Sequence, residues 1–429
     1  MPTEVFPRRQ AIAQAQSDQL RTLLRAIIPA NPFYTAKFDA AGTPGKVAHL
    51  GDFYAQFPFT TKAEIAADQA AAPPYGTNLT YPPQRYTRCH QTSGTNGVPL
   101  RWLDTPESWE WMLGNWQTIL RVAGVTAADH LFFAFSFGPF LGFWLAFEAG
   151  LRLGCRCHAG GGMGTAARLQ ALLDHKATVL CCTPSYALHL AENAAHHGLD
   201  LSQSPVRLII LAGEPGGSIP STRKRLESLW PGARMFDHHG MTEVGPVTYE
   251  CPARPGVLHV LDTAYIPEIV DPATGAHVDT GQTGELVLTT LGRIGSPLLR
   301  YRSGDLVRAA LDSVCTCGRS ELALEGGILG RTDDMVVVRG VNVYPSAVEE
   351  IFRSQPGVAE YQVQVHPTTA LTQMTIHVEP RPEVADAAGL ARQLEAALHT
   401  AFTLTIPVTA VPCGTLPRFE MKAKRWVMD

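Results

Sequence analysis

The stretch Gln91-Thr92-Ser93-Gly94-Thr95-Asn96-Gly97 is dense in small, polar residues. Gly94 and Gly97 permit backbone angles that other residues resist and leave amide N–H groups unshielded. Successive exposed N–H groups form a concave anion site, and the hydroxyls of Thr92, Ser93 and Thr95 are further donors. That is the chemistry of gripping a phosphate. The GxxxxGK[ST] loop of NTPases is not present, because Val98 and Pro99 follow the second glycine where that loop has lysine. An ordinary polar surface turn has the same composition, so this stretch alone leaves both readings open. A second set, Cys251-x7-His259 with Cys315-x-Cys317, supplies three thiolates and an imidazole. These are the ligands of a closed tetrahedral structural Zn²⁺ site. The spacing is not that of a common zinc finger, but the two pairs bracket one segment that a single ion would staple. The alternative is four unrelated residues, since reduced cysteine is commonly buried as a small hydrophobe. Against it, Cys315 and Cys317 sit in the polar run Asp312 to Arg319. Cys155, Cys157, His158, Cys181 and Cys182 lie in strand-like runs and read as core.

The elements that must position these residues alternate. Residues 1–70 read as helical, with Leu20, Leu23, Leu24 and Ile27 at helix spacing. Asn31-Pro32 stops that helix, and Thr61 with Glu64 forms a capping box. Apolar runs at 130–137, 177–183, 206–212 and 233–237 read as strands, separated by helices near 140–151, 163–175, 184–197 and 218–229. Such alternation implies βαβ units and largely parallel sheets, with ligands at the carboxyl ends of the strands. One cleft then gathers Phe135 to Gly138, Thr183 to Tyr186, Ala212 to Gly217 and Asp237 to Glu243. Helix periodicity vanishes from Val257 to Glu325, which reads as a β-rich subdomain (about 246–325). Glycines at 326, 327 and 330 mark a boundary, followed by a compact α+β region. The expected fold is therefore α/β: an N-terminal domain over 1–331 with mainly parallel sheets, and a small C-terminal lid over 332–429.

The chain has 429 residues, 45% hydrophobic and 17% charged, as expected of a folded protein of two or three domains. Lys plus Arg is 35 against 39 for Asp plus Glu, so the net charge of −4 argues against a nucleic-acid partner. Met1 to Gln19 lacks the continuous apolar region of a secretory signal. Leu131 to Leu151 is about long enough to span a bilayer, but it holds Ser136, Gly138, Pro139 and Glu148 and reads as strand, turn and buried helix. Nine cysteines, an odd number, suit free thiols or a metal site in the cytoplasm better than a disulfide framework. No membrane association is expected.

The motifs follow in a recognisable order: Thr92 to Gly97, then Gly213-Glu214-Pro215, then His239-Gly240-Met241-Thr242-Glu243. Tyr301-Arg302-Ser303-Gly304-Asp305, Gly330-Arg331-Thr332-Asp333-Asp334 and Leu416-Pro417-Arg418…Lys422 complete the order. From about residue 20 onward the chain resembles the adenylate-forming superfamily of acyl-CoA synthetases, peptide-synthetase adenylation domains and luciferases. Arg339 to Pro345 and the Leu416-Pro417-Arg418 ending make it most similar to the phenylacetate–CoA ligase branch.

The resemblance implies a two-step ligase. A carboxylic acid attacks the α-phosphate of ATP, giving an acyl-adenylate and pyrophosphate; a thiol, usually that of CoA, then displaces AMP. Thr92, Ser93, Gly94, Thr95, Asn96 and Gly97 would hold the β- and γ-phosphates. Glu243 would bind Mg²⁺, with Thr242 near the α-phosphate. Gly213, Glu214 and Pro215 would line the adenine and Asp237 would meet its amino edge, with His238, His239, Gly240 and Met241 completing the nucleotide-binding run. Asp305 would take the ribose hydroxyls, assisted by Arg331. Asp333 would be the hinge of a mobile lid, and Lys422 would bridge the carboxylate and the α-phosphate. These roles suit the chemistry: a carboxylate and a triphosphate repel, and phosphoryl-type displacement is mostly positioning and charge neutralisation. Phe135, Phe137, Phe140, Pro184, Tyr186 and Ala212 would line the acyl pocket, and their character suits an aromatic acid, although each singly also suits core.

Three departures stand out. Val98 replaces a common lysine, His239 an adenine-stacking aromatic, and Met421 the glycine before the catalytic lysine. The alternatives are transfer to a carrier-protein thiol or an amine, and a nucleotide-binding protein without catalysis. Retention of Asp305, Glu243 and Lys422 speaks against the latter. The absence of an attached carrier domain favours CoA, and a homodimer is one possible assembly.

Overall fold

The computed structural model describes residues 6–43, 45–92, 99–338, 341–366, 372–419 and 423–428. They form two compact units, Met1–Gly161 with Phe236–Ile328, and Gly162–Met235 with Leu329–Asp429. Each unit is built from two separate stretches of chain. The division at 331/332 into a large domain and a lid is a functional proposal, distinct from these units.

In the first unit, the helix Arg9–Ile27 buries Ile12, Leu20, Leu23, Leu24 and Ile27 along one face. Asn31 ends the run and also starts the next helix, Pro32–Ala41: its side chain accepts the Tyr34 N–H at 3.1 Å, with proline at the first position. Leu20, Leu24, Phe38, Phe53 and Phe57 pack with Ile266 and Leu299 into one core. The capping box forms as its residue types require: Glu64 N–H donates to Thr61 Oγ1 at 3.2 Å and Thr61 N–H to Glu64 Oε2 at 2.7 Å. The sequence reading had no helix over Pro106–Val122, which is capped by Thr105 and buries Trp109, Met112, Leu113 and Trp116.

The strand His130–Phe133 runs parallel to Arg156–Ala159, with the helix Trp144–Arg152 between them in sequence. It is shorter than the expected 130–137. The chain leaves the extended region after Phe133, and Phe137 (φ 47°) and Gly142 (φ 39°) turn it through a loop. The β-rich region is as expected in kind. Thr248–Glu250, Val257–Val260 and Ala323–Glu325 form one antiparallel sheet. Tyr265–Val270, Thr283–Thr290 and Tyr301–Arg308 are likewise joined antiparallel.

In the second unit Val179–Cys182 runs parallel to Leu208–Leu211, accompanied by the helices Thr165–Asp174, Pro184–His196 and Pro220–Leu229. The later stretch holds the hairpin Val336–Val338 with Val341–Val343 and the helices Pro345–Arg353 and Ala387–Phe402. Its four-stranded sheet has the order Val408–Ala410, Gln373–Pro380, Val358–His366, Trp426–Met428. The central pair is antiparallel and both edges are parallel. Val363, Ile376, Val378, Phe352, Leu394 and Leu398 fill its core. The molecule is thus a mixed α/β protein with parallel strands, a β-rich region and an α+β C-terminal portion. No helix among the described residues is long and apolar enough to cross a membrane.

Candidate active site

The candidate phosphate loop begins at the end of the strand Arg88–Gln91. Arg88–Gln91 pairs antiparallel with Arg101–Asp104, and the neck is closed by Thr92. Its N–H donates to Leu100 O at 2.9 Å, and its buried hydroxyl accepts the Leu100 N–H at 3.0 Å. Gln91 N–H donates to Pro139 O at 2.8 Å, tying the hairpin to the loop that carries Phe135, Phe137 and Phe140. Ser93, Gly94, Thr95, Asn96 and Gly97, and the Val98 departure, lie outside the described residues.

Asp237 ends the strand Arg234–Asp237, and its N–H reaches Glu250 Oε2 at 3.3 Å. His238 is buried. Burial pushes its imidazole down to about 3, so the ring is neutral and Nδ1–H donates to Thr248 O at 2.6 Å. Its ring lies 4.4 Å from that of Trp116, which makes the side chain part of the core. His239 faces the other way: Nε2 lies 3.0 Å from Asp305 Oδ2. Gly240–Met241 pairs with Gly245–Pro246 in a tight hairpin. A Cβ on Gly240 would stand 2.8 Å from Gly245 O, so no larger residue fits. Glu243 is buried, with Lys62 Nζ 3.4 Å from Oε1. Lys62, between the capping residues Thr61 and Glu64, belongs to no motif in the sequence.

Asp305 is aimed by a bulge. The register of Tyr301–Arg308 against Thr283–Thr290 shifts between Glu285 and Val287, and Gly304 takes φ +80° there. Gly304 N–H donates to Glu285 Oε1 at 3.0 Å, Ser303 Oγ–H to Leu286 O at 2.7 Å, and Asp305 N–H to Ser303 Oγ at 3.0 Å. The fold therefore gathers the Asp237–Glu243 run and Asp305, remote in sequence, around the His239–Asp305 contact.

In the second unit, Gly213 (φ +95°) opens the Gly213-Glu214-Pro215 turn after the strand Leu208–Leu211. The Glu214 carboxylate accepts Ser185 N–H at 2.8 Å and Ala423 N–H at 2.7 Å, and so holds the residue after Lys422. Arg331 donates through Nε and Nη2 to the two Asp333 oxygens at 2.7 and 3.1 Å. Met421 and Lys422 lie outside the described residues.

Two family models match the chain: that of the AMP-binding enzyme over residues 91–292, and that of the AMP-binding enzyme C-terminal domain over 340–429. The phenylacetate-coenzyme A ligase of Thermus thermophilus is 31% identical over 99% of this chain and 98% of its own length. The chain belongs to the phenylacetate–coenzyme A ligase family. The Escherichia coli phenylacetate-coenzyme A ligase is also 31% identical, over 96% of this chain and 93% of its own. A crystal structure of 2-hydroxyisobutyryl-CoA ligase in the postadenylation state superimposes with a TM-score of 0.93 at 27% identity, covering 98% of this chain and 90% of that one. The chemistry is accordingly that of an AMP-forming acid–thiol ligase.

In this ligase Phe135, Phe137 and Phe140 are half-buried on the loop after His130–Phe133. The Phe135 ring lies 5.2 Å from Phe143, and Phe137 lies 4.9 Å from Trp144 and 5.6 Å from Phe147. These rings stand on an aromatic bed. Pro184, Tyr186 and Ala212 belong to the second unit. Tyr186 is fully buried, with Arg168 over its ring at 5.1 Å and its hydroxyl donating to Thr165 Oγ1 at 3.3 Å, which are core surroundings.

The Cys/His set of the ligase is brought together. The ligand atoms of Cys251, His259, Cys315 and Cys317 all lie within 4.8 Å of one another. Cys251 Sγ is 3.5 Å from Cys315 Sγ, and Cys317 Sγ is 3.4 Å from His259 Nε2. Cys251 follows one strand of the three-stranded sheet and His259 sits in the next. The turn Cys315–Arg319 closes through Gly318 (φ +87°), with Gly318 N–H to Cys315 O at 2.7 Å. Burial pushes the Cys251 thiol up to about 12 and His259 down to about 4. Tetrahedral Zn²⁺ ligand atoms stand roughly 3.5–3.8 Å apart given the usual bond lengths, a spacing that the Cys251–Cys315 and Cys317–His259 pairs approach, so the donor set is of the kind that would hold a zinc ion.

Proposed function

We propose that the protein activates an aromatic carboxylic acid with ATP and transfers the resulting acyl group to CoA. A carboxylate oxygen attacks the α-phosphorus, the bond to the bridging oxygen breaks, and pyrophosphate leaves. The CoA thiolate then attacks the carbonyl carbon and AMP leaves with the carboxylate oxygen. The observation that carries the reading is the His239–Asp305 contact at 3.0 Å, which unites two motifs 66 residues apart beside buried Glu243. Asp305, fixed by its bulge, takes the ribose hydroxyls. His239 keeps one Asp305 oxygen oriented and offers its ring face to the base. Thr242 faces the α-phosphate, and the carboxylate of Glu243, with Lys62 beside it, is the ligand for Mg²⁺, which neutralises phosphate charge when bound. The residues Thr92 to Gly97 take the terminal phosphates.

The roles of Gly213, Glu214, Pro215, Arg331, Asp333 and Lys422 rest on the family resemblance. The preference for an aromatic acid rests on Phe135, Phe137 and Phe140 and on the phenylacetate named for the relatives. Cys251, His259, Cys315 and Cys317 hold a structural Zn²⁺. Its four ligand positions are filled by protein, so the ion stays outside the reaction. Free thiols and a zinc site suit the cytoplasm.

The test is a screen of benzoate, aminobenzoates, hydroxybenzoates and phenylacetate for AMP and thioester formation with and without CoA. AMP and an aryl-CoA product with at least one acid are expected. No AMP with any aromatic acid would overturn the substrate class. AMP without a CoA thioester would overturn CoA as acceptor.

A further inference from the structure

Arg293 has no place in any of the motifs, yet its side chain is fully buried. It sits between Gly292 and Gly295 just beyond the strand Thr283–Thr290. A Cβ on Gly292 would fall 2.2 Å from the Trp111 ring, and one on Gly295 2.9 Å from Thr105 Cγ2. Those two glycines let the backbone run close enough for the guanidinium to enter. Inside, Nε and Nη2 donate to the two Asp104 oxygens at 2.7 and 2.6 Å. Nη1 donates to Thr242 O and to Glu243 O, both at 2.8 Å. Its Cζ lies 5.5 Å from the centroid of the Trp102 ring. Asp104 and Trp102 belong to the second strand of the phosphate hairpin.

A buried guanidinium is retained only when its charge is paired and its donors satisfied. Asp104 alone would meet the pairing requirement. The two carbonyls are a further commitment, and they belong to the residues whose side chains face the α-phosphate and Mg²⁺. We infer that Arg293, with Asp104, is a positioning pair that braces the phosphate hairpin against the Thr242-Glu243 backbone and so sets the alignment of the triphosphate and its metal. This rests on the assignment of Thr242 and Glu243 made above. Lysine cannot substitute: a single ammonium lacks the planar fork that meets a carboxylate on one side and two carbonyls on the other.

Arg293→Met alone strands the Asp104 charge and invites misfolding, so it is paired with a compensating change. Arg293→Met/Asp104→Leu removes both charges from the interior, and Arg293→Lys keeps the charge without the fork. Melting and circular dichroism report folding. Pyrophosphate release is followed as a function of acid, ATP and Mg²⁺, with Glu243→Gln alongside. Loss of supporting hydrogen bonds behind a metal ligand typically costs about 10–100-fold in metal affinity or activity. The expected result is folded variants whose adenylation kcat falls by about that factor, with the Mg²⁺ requirement moved to higher concentration and the KM for the acid unchanged. A folded double variant, or a folded Arg293→Lys, with wild-type kcat and Mg²⁺ dependence overturns the brace. If Glu243→Gln is impaired while both Arg293 variants are normal, the brace alone is wrong. If Glu243→Gln itself shows wild-type Mg²⁺ dependence, the assignment beneath the proposal falls with it.

Discussion

His238 and His239 are neighbours in sequence with opposite surroundings. His238 is held neutral in the core and His239 faces Asp305. His90, stacked on Trp109 at 5.4 Å, is likewise pushed down to about 4 by burial. Both folded values lie below the 6.5 of a free imidazole. Between about pH 4 and 6.5 the unfolded chain therefore binds protons that the native chain refuses, and stability falls as the pH drops through that window. Denaturant unfolding at pH 7.5 and 5.0 should show the loss. His238→Gln should flatten it by up to one proton, about 1.4 kcal/mol per pH unit. An unchanged slope would mean that His238 titrates normally. For Lys422, alanine should cripple adenylate formation while sparing thioester formation from supplied acyl-adenylate. Equal loss of both half-reactions would mean either that Lys422 is structural or that Lys424 is the catalytic lysine.

At this scale the motifs singled out Asp305 and Glu243 as candidates, and the fold brings Asp305 against His239 of the Glu243 motif. The sequence was silent on Arg293 and Lys62, because an isolated cation carries no sign of what the fold sets beside it. Nor could it separate His238 from His239, since a shift of one residue decides which ring meets the core.

Among the elements, the C-terminal strand Trp426–Met428 is anchored by charge. Arg418 pairs with Glu379, and Arg425 Nε donates to Glu360 Oε1 at 2.7 Å, so ion pairs bracket the segment that carries Lys422. Burial would raise Glu360, but the guanidiniums of Arg353 and Arg425 bring it down to about 2. Arg425→Met leaves buried carboxylates under-compensated and should destabilise the protein by about 3–5 kcal/mol. The drop is measurable by denaturant titration, and adenylation should fall with it. A variant as stable as the wild type would mean that the cluster contributes no anchoring. Asp333→Pro tests the hinge, because proline fixes φ. Adenylation should survive and thioester formation fail. Loss of both together would count against Asp333. Capped helices such as Lys62–Ala71 were legible from their first residues. The helix Pro106–Val122 was not read, although Thr105-Pro106 is a legitimate start. The terminal strand was hidden because Trp426-Val427-Met428 is too short to show a period after a polar, basic run, and its pairing comes from Val358–His366.

For the molecule as a whole, the Cys251, His259, Cys315 and Cys317 cluster is the long-range connection that the sequence did suggest, and zinc is its proposed occupant. Cys251 and Cys317 are 66 positions apart in the chain, and the antiparallel strands between them close the gap. Protein purified without a His tag should contain one zinc per chain. Cys315→Ser/Cys317→Ser should lose the metal and melt lower. Metal-free wild type of full stability would end the proposal. The division into two compact units, each of two stretches, could not be read from a linear pattern, because glycine clusters mark turns and not which segments later pack together.

The central claim is that the acid is activated through its own oxygen on the α-phosphate. It is tested most directly with an aromatic acid labelled with ¹⁸O in both carboxylate positions. After turnover with ATP and CoA, mass spectrometry should find one ¹⁸O in each AMP and none in pyrophosphate, because the C–O bond broken by the thiol leaves the carboxylate oxygen on phosphorus. Unlabelled AMP, or label in pyrophosphate or inorganic phosphate, would contradict an acyl-adenylate.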